Sequence, residues 1–505
     1  MGSNLLFLRA TAFCTGMSIM GLEMLASRFL APFFGTSTYI WATIIGMAMI
    51  ALSLGYLLGG RWADRNPKPS GLYRTIFVAA CLTFVIPLGR IVPRIGHQGA
   101  LQLSWTTFIA GLFGSLALFF LPMMLLATAS PYLIRLGART VGTVGSTSGD
   151  IYAISTVGSI VGVFLTTFVG MPYLGVVETL LAYGFLLLGV SVLGLRSPRL
   201  LAAGVLLFLL SAFGPVHFRE KAVVFEGESA YNYVKVIRSD DGALLLKLNE
   251  GIGSQSVYYE SDIYTGGIWD YFLAPLLYRP EARKVLIIGF AGGTVARQYL
   301  ALSNATIIGV EIDPLVVRVS KRYFGVRESG RLQVLVADGR TYLSLCRDKF
   351  DIVLMDAFNP PTIPFHLATR EFFELVRDRL NPGGLFAINV PRYGDAAHVV
   401  DPVCATLESV FGRAFLIDRR PDIPQLAVAA SGDLDLEDFT SKVRSNALGA
   451  PGWLVNGIAD RTVEFDGRRD LILTDDRSPI EMLVHRIVFD YVRSPASEVQ
   501  EAIRG

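Results

Sequence analysis

At 505 residues, 52% of them hydrophobic and with a mean hydropathy of +0.47, the chain is too long for one core and too apolar for an ordinary soluble protein. Its net charge of +2 conceals two opposed halves: up to residue 216 there are 12 Lys and Arg against 4 Asp and Glu, and beyond it 33 against 39. The acidic back half has no basic run interleaved with aromatics, which argues against a nucleic-acid partner. Cys14 and Cys81 fall in apolar stretches, Cys346 and Cys404 lie far apart, and the five histidines have no metal-ligand spacing. Neither a disulfide framework nor a metal site is expected.

Seven apolar stretches are about long enough to cross roughly 30 Å of hydrocarbon. They lie near 10–30, 39–60, 72–90, 107–127, 151–170, 175–195 and 199–216, the last being the weakest. Residues 1–216 are therefore expected to form a transmembrane domain of about seven helices, in contact with the lipid bilayer. The start of the chain lacks the order of a cleaved leader, so the first span is expected to be retained. Loops after spans two, four and six carry Arg61, Arg65, Lys68 and Arg74, then Arg135 and Arg139, then Arg196 and Arg199, while those after spans one and five carry none. Positive-inside counting puts the even loops and the N-terminus in the cytoplasm of a bacterial-type inner membrane. Seven crossings would leave the back half outside; a span fewer, or a helix added by 91–105, brings it to the cytoplasm, which is the expected side. Within "MGLEMLASRF", Glu23 sits mid-span, as an interhelical polar contact or as a charge lining a cavity for a cationic substrate. Arg28, five residues on, points about 140° away around the helix and is a poor partner.

The back half changes character at "KVLIIGFAGGTVARQYLAL". A β-branched apolar run leads into Gly289, Gly292 and Gly293, and a helical pattern follows. The next apolar run, "ATIIGVEID", ends at Glu311, the distance at which an acid meets a ribose diol in a doubly wound sheet. "LQVLVADGRTYL" ends at Asp338 and Gly339, placed to receive an adenine edge, and "FDIVLMDAFNPP" ends at Asp356 before a proline-rich loop. Carboxylates at three consecutive strand ends face one crevice. Asp338 as a helix cap and Asp356 as a loop brace are the plainer alternatives.

Residues from about 222 to 415 resemble the spermidine synthase (polyamine aminopropyltransferase) family. The likeness rests on "EGESAYNYVKV", the hairpin "LNEGIGSQS", and then "VEIDP", "ADGRTYL", "MDAFNPP", "PFHLATREFF" and "LNPGGLFAIN" in the family's order. With the front half included, the chain is similar to bacterial membrane-fused spermidine synthase-like proteins, whose first spans carry elements like "E....R" and "GG..ADR" and whose tails carry one like "LTDDRSPIE" (Leu473 to Glu481). The resemblance implies a multi-pass helical membrane bundle joined to a Rossmann-like α/β doubly wound domain with a small N-terminal β region. Its expected divisions are 222–282 for the β-hairpin region, 283–420 for the nucleoside-binding domain and 421–505 for an extension packing on it.

The chemistry implied is attack by an amine on a sulfonium nucleoside, S-adenosylmethionine or its decarboxylated form, with release of methylthioadenosine. The resemblance assigns Gln255 to the nucleoside, Glu311 to the ribose and Asp338 to the adenine. Asp356 would position or deprotonate the nucleophile, and Tyr264 matches a tyrosine that the family's active site carries. Three departures bear on the acceptor. The glycine turn "GFAGGT" holds no acid, Asn359 replaces an aspartate, and "TGG" (Thr265, Gly266, Gly267) replaces a His-Glu pair. A diamine would lose most of its carboxylate partners, whereas intact S-adenosylmethionine brings its own negative charge. The acceptor is then an amine, or the substrate's own carboxylate or amine. Two other classes share parts of the pattern. "GYLLGGRWADR" also resembles a loop of major facilitator carriers, which would make the back half a nucleoside sensor. A methyltransferase would share the nucleoside strands but not the Gln255 hairpin. A homo-oligomer is compatible with either.

Overall fold

The computed structural model describes residues 5–34, 38–90, 105–138, 140–213, 222–249, 253–358, 363–390, 397–418, 425–480 and 482–483. The chain divides into two compact units, Met1–Glu220 and Lys221–Gly505.

Among the described residues of the first unit, six helices are long and apolar enough to cross a membrane. They are Leu5–Phe34, Ile40–Arg65, Pro69–Gly89, Leu112–Gly137, Val141–Leu174 and Val176–Leu195. Within the seventh apolar stretch the described residues form the helix Pro198–Phe213, 16 residues that cover about 24 Å at 1.5 Å each, and 214–216 lie outside the described residues. Residues 91–104 lie outside the described residues.

Small residues govern how these helices meet. A methyl group on Gly158 would lie 2.2 Å from the carbonyl oxygen of Phe13, and one on Gly162 would lie 2.2 Å from that of Met17. The "GSIVG" spacing thus brings the fifth span's backbone against the first, as small residues four apart do in membrane helices. Arg9 and Asp150 pair at 2.7 Å at the leading end of the same two helices. With Phe13 beside Gly158 and Met17 beside Gly162, the first and fifth spans run parallel, as they must when consecutive spans alternate. Glu23 is half-buried on the first helix, and no side chain among the described residues pairs with it.

The second unit opens with a four-stranded antiparallel sheet, β1 (Val223–Glu228), β2 (Tyr233–Arg238), β3 (Leu244–Leu248) and β4 (Ser256–Tyr258), in that order. Val234, Val236, Leu244, Leu246 and Leu248 alternate inward and pack on the helix Pro314–Tyr323.

An eight-stranded sheet follows: β5 (Lys284–Ile288), β6 (Thr306–Glu311), β7 (Leu332–Val336), β8 (Phe350–Met355), β9 (Leu380–Val390), β10 (Phe415–Ile417), β11 (Gln425–Ala430) and β12 (Thr462–Glu464). Its order is β12-β10-β11-β9-β8-β5-β6-β7. The strands from β9 to β7 in that order are parallel, and β11, β10 and β12 extend the sheet antiparallel. Val285 and Ile287 enter one core and Leu286 and Ile288 the other, as the near-continuous apolar run of a doubly covered strand requires. The chain winds outward from β5 to β7 on one side and through β8 to β9 on the other, so the topological switch lies between β5 and β8. The boundary expected at 420 falls inside this sheet, since β11 inserts between β9 and β10.

Candidate active site

The crevice at the switch is made by close backbone approach. Gly289 has φ +83°, and a methyl group there would lie 2.5 Å from the carbonyl oxygen of Asp356. The Asp356 amide donates to the Ile288 carbonyl at 2.9 Å, so β8 delivers Asp356 directly beside the glycine turn. Ala291 follows at φ +48°, a costly conformation for a residue with a side chain, and its amide donates to Glu311 Oε2 at 2.9 Å. The Asp313 amide donates to the other oxygen, Oε1, at 3.1 Å. Burial pushes the Glu311 carboxyl up to about 7, against these hydrogen bonds.

The small sheet closes the other side. Gly292 donates its amide to Ser256 Oγ at 2.8 Å, which seats β4 on the turn. Gln255, one residue before, lines a cleft together with Trp269, Gly289 and Asp356. Asp313 holds this arrangement in register. It caps its helix through the Leu315 amide (2.8 Å) and accepts from Ser229 Oγ (2.6 Å) and Asn232 Nδ2 (3.1 Å) on the segment before β2.

Asp338 follows β7, and its Oδ1 accepts from the Thr341 amide at 2.8 Å, so it does cap the next helix, Gly339–Leu345. Its Oδ2 stands 3.1 Å from His366 Nε2. Burial opposes ionisation here, and the hydrogen bonds from Thr341 and His366 outweigh it, holding the carboxyl below its ordinary value. A side chain on Gly339 would collide with Ile288 at 2.3 Å, so glycine lets this helix start directly against β5.

Asp356 is half-buried, and its Oδ1 accepts from Asn389 Nδ2 at 2.9 Å. Withdrawal from solvent pushes its carboxyl up to about 6, and the Asn389 hydrogen bond partly offsets that. Asn389 was not singled out from the sequence, because its partner lies 33 residues away on the neighbouring strand. It is 6% exposed, and its Oδ1 accepts from no group among the described residues. Only the polar residue at the end of a buried strand could have pointed to it.

Tyr264 is not among the residues lining the cleft. Its ring meets Trp453 edge-on at 6.3 Å, because the segment that carries it is wound around a buried carboxylate. Asp270 is fully buried and accepts from the Thr265 and Gly266 amides (3.0 and 2.7 Å), Thr265 Oγ1 (3.0 Å) and Gln298 Nε2. The "TGG" segment is thus a loop closed on Asp270. Asn359 lies outside the described residues, and no group of three or more His, Cys, Asp or Glu among those described could hold a metal ion.

Residues 272–415 match the spermine/spermidine synthase domain family. A probable polyamine aminopropyl transferase of Bifidobacterium longum is 30% identical over 309 residues, covering 57% of this chain and 68% of that protein. The polyamine aminopropyltransferase of Vibrio vulnificus is 31% identical over 221 residues, 42% of this chain and 73% of the relative. The chain belongs to the polyamine aminopropyltransferase family. A probable spermidine synthase of Corynebacterium glutamicum aligns in structure over 49% of this chain and 98% of its own, at a TM-score of 0.40 and 17% identity. In this chain the α/β unit follows a helical unit with six helices, among the described residues, that are long and apolar enough to cross a membrane. Among the described residues that line its cleft there is one carboxylate, Asp356.

Proposed function

We propose that the protein binds an S-adenosylmethionine-type sulfonium nucleoside at the β5–β8 crevice and cleaves its carbon–sulfur bond, releasing methylthioadenosine. In this reading Glu311 accepts the ribose hydroxyls, Asp338 the adenine amine, and Gln255 contacts the nucleoside from the hairpin. Gly289, Gly292 and Gly293 let the backbone approach it, with Gly339 packing beneath the adenine side. Trp269 offers a ring face to the sulfonium.

The observation that supports the finer reading is that Asp356 is the one carboxylate among the described residues lining the cleft. A diamine dication needs acidic partners for both ends, and Asp356 serves only one. Intact S-adenosylmethionine needs only one, for its α-ammonium, and carries its own nucleophile. Attack of its carboxylate oxygen on the γ-carbon forms the ring C–O bond as the C–S bond breaks and the electron pair leaves on sulfur. The products are homoserine lactone and neutral methylthioadenosine, with no proton to remove. Intramolecular attack has the further advantage that no second substrate must be ordered.

Transfer to an external amine is the second reading. Membership of the aminopropyltransferase family favours it, as does Asp356 near 6, poised to take the proton that an attacking amine loses. Product analysis with S-adenosylmethionine and with its decarboxylated form, each with and without an amine, separates the two. Asn359 has a part only in the second reading, at the amine.

The first unit resides in a bacterial-type inner membrane. Six crossings with the N-terminus and the Arg-rich even loops inside bring the catalytic unit to the cytoplasm, where sulfonium nucleosides are made. Glu23, a half-buried carboxylate with no partner among the described residues, is the group within the bundle suited to a cationic substrate.

A further inference from the structure

The tail motif "LTDDRSPIE" has no place in the chemistry above, yet it is tied to the wall that would read the base. Leu473 and Ile480 are fully buried and anchor its two ends in the same core as Ile288 and Val310. Between them Thr474 and Arg477 exchange backbone hydrogen bonds (3.1 and 3.0 Å), closing a tight turn with Asp475 near its tip. Asp475 accepts from Arg340 Nη1 and Nη2 at 2.7 and 2.6 Å, a bidentate pair, and from Thr369 Oγ1 at 2.8 Å. Its amide donates to Glu371 Oε2 at 3.0 Å. Asp476 beside it is exposed, and Glu481 lies outside the described residues.

Arg340 does more than meet Asp475. Its Nη1 also donates to the His366 carbonyl at 3.0 Å, and the His366 ring nitrogen Nε2 stands on Asp338 Oδ2. His366 is therefore held at both ends: its backbone by Arg340, its ring by the carboxylate. Asp338 is in turn fixed on both oxygens, by the Thr341 amide and by His366. The chain of contacts Asp475–Arg340–His366–Asp338 is continuous, spans 135 residues of sequence at its first link, and ends on the carboxylate assigned to the adenine amine.

We propose that the Leu473–Ile480 segment is a positioning strap of the nucleoside site, in which Asp475, through Arg340 and His366, sets the orientation of Asp338 and so the discrimination of a 6-amino from a 6-oxo purine. The inference rests on the reading of Asp338 as the adenine acceptor. Asp475 and Arg340 touch no substrate; they are positioning residues. A carboxylate aimed at the exocyclic amine rewards a donor and rejects a 6-oxo acceptor, so its aim appears in the ratio of two affinities. A general loss of stability would weaken both alike.

The test uses the full chain in detergent, with calorimetric affinities for methylthioadenosine and for methylthioinosine, its 6-oxo analogue. The wild type is expected to prefer the 6-amino nucleoside at least tenfold. Asp475→Ala and Arg340→Lys should cut that preference about fivefold or more, and Asp475→Asn, which keeps the Thr369 bond, should fall between. A wild-type preference retained in all three variants overturns the strap. Should Asp475→Ala fail to fold, Arg340→Lys and Asp475→Asn carry the same reading. Asp338→Ala separates the two levels. If it leaves the preference intact, the base reading itself fails. If it abolishes the preference while the strap variants do not change it, only the strap fails.

Discussion

Replacing Glu311 by alanine removes the acceptor for the ribose and both hydrogen bonds that its carboxylate takes from the Ala291 and Asp313 amides. Two hydrogen bonds from the diol to an ionised carboxylate, at about 1.5–3 kcal/mol each, come to about 3–6 kcal/mol. At about 1.4 kcal/mol per factor of ten, the affinity for methylthioadenosine should fall by roughly two to four powers of ten. The two released amides also weaken the fold, by about 1–3 kcal/mol each where they stay buried and unpaired, so the thermal midpoint should drop as well.

The wild type offers an independent reading through pH. The Glu311 carboxyl is raised from 4.5 to about 7 by burial, so the folded apoprotein favours its protonated form. Its contribution to stability is fully present below pH 4.5 and is lost as pH rises to about 7, an effect of about 3 kcal/mol at 1.4 kcal/mol per pH unit. The ribose hydroxyls donate to the ionised form, so binding expels the proton and affinity should rise about tenfold between pH 6 and pH 8. Isothermal calorimetry in two buffers of different ionisation heat counts that proton directly. An affinity unchanged in Glu311→Ala, or one that falls as pH rises, would refute the assignment.

Three further outcomes are expected. Asp356→Asn should leave methylthioadenosine affinity within a few-fold while lowering turnover about tenfold to a hundredfold, because a charge-assisted hydrogen bond to the α-ammonium worth about 1.5–3 kcal/mol is lost; because burial raises this carboxyl to about 6, wild-type turnover should fall as pH drops below 6, and a variant that also loses binding would make Asp356 a structural brace. Gly158→Leu, whose first side-chain carbon would sit 2.2 Å from the Phe13 carbonyl oxygen, should lower the thermal stability of the detergent-solubilised chain by more than the 1–3 kcal/mol typical of overpacking, about the scale at which a helix pair separates; an unchanged melt would mean that the first and fifth spans do not pack this way. Glu23→Gln should impair turnover with little change in expression or melting, and full activity would leave Glu23 a structural contact.

Much of the fold is local pattern and could be read along the chain. The buried run before Gly289, the acid at the end of each following strand and the apolar spans are all short-range signals, and the parallel order from β9 to β7 follows from their alternation with helices. What the pattern could not convey is pairing across distance. β10 and β12 have three residues each, too few for any periodicity, and β11 reaches its place between β9 and β10 only by pairing across distance, so the antiparallel extension of the sheet was invisible. Asn389 meets Asp356 only because β9 lies beside β8, and Asp475 meets Arg340 from 135 residues away. "TGG" reads as a loss of functional groups, while its backbone amides are there to satisfy Asp270, a group whose burial no local signal announces.

The most direct test of the central claim is to give the purified full-length protein S-adenosylmethionine alone and to identify the products by mass spectrometry. Release of methylthioadenosine together with homoserine lactone, sharply reduced in Asp356→Asn, is the predicted result. No release without an added amine, with an aminopropylated product formed from the decarboxylated nucleoside, would contradict it.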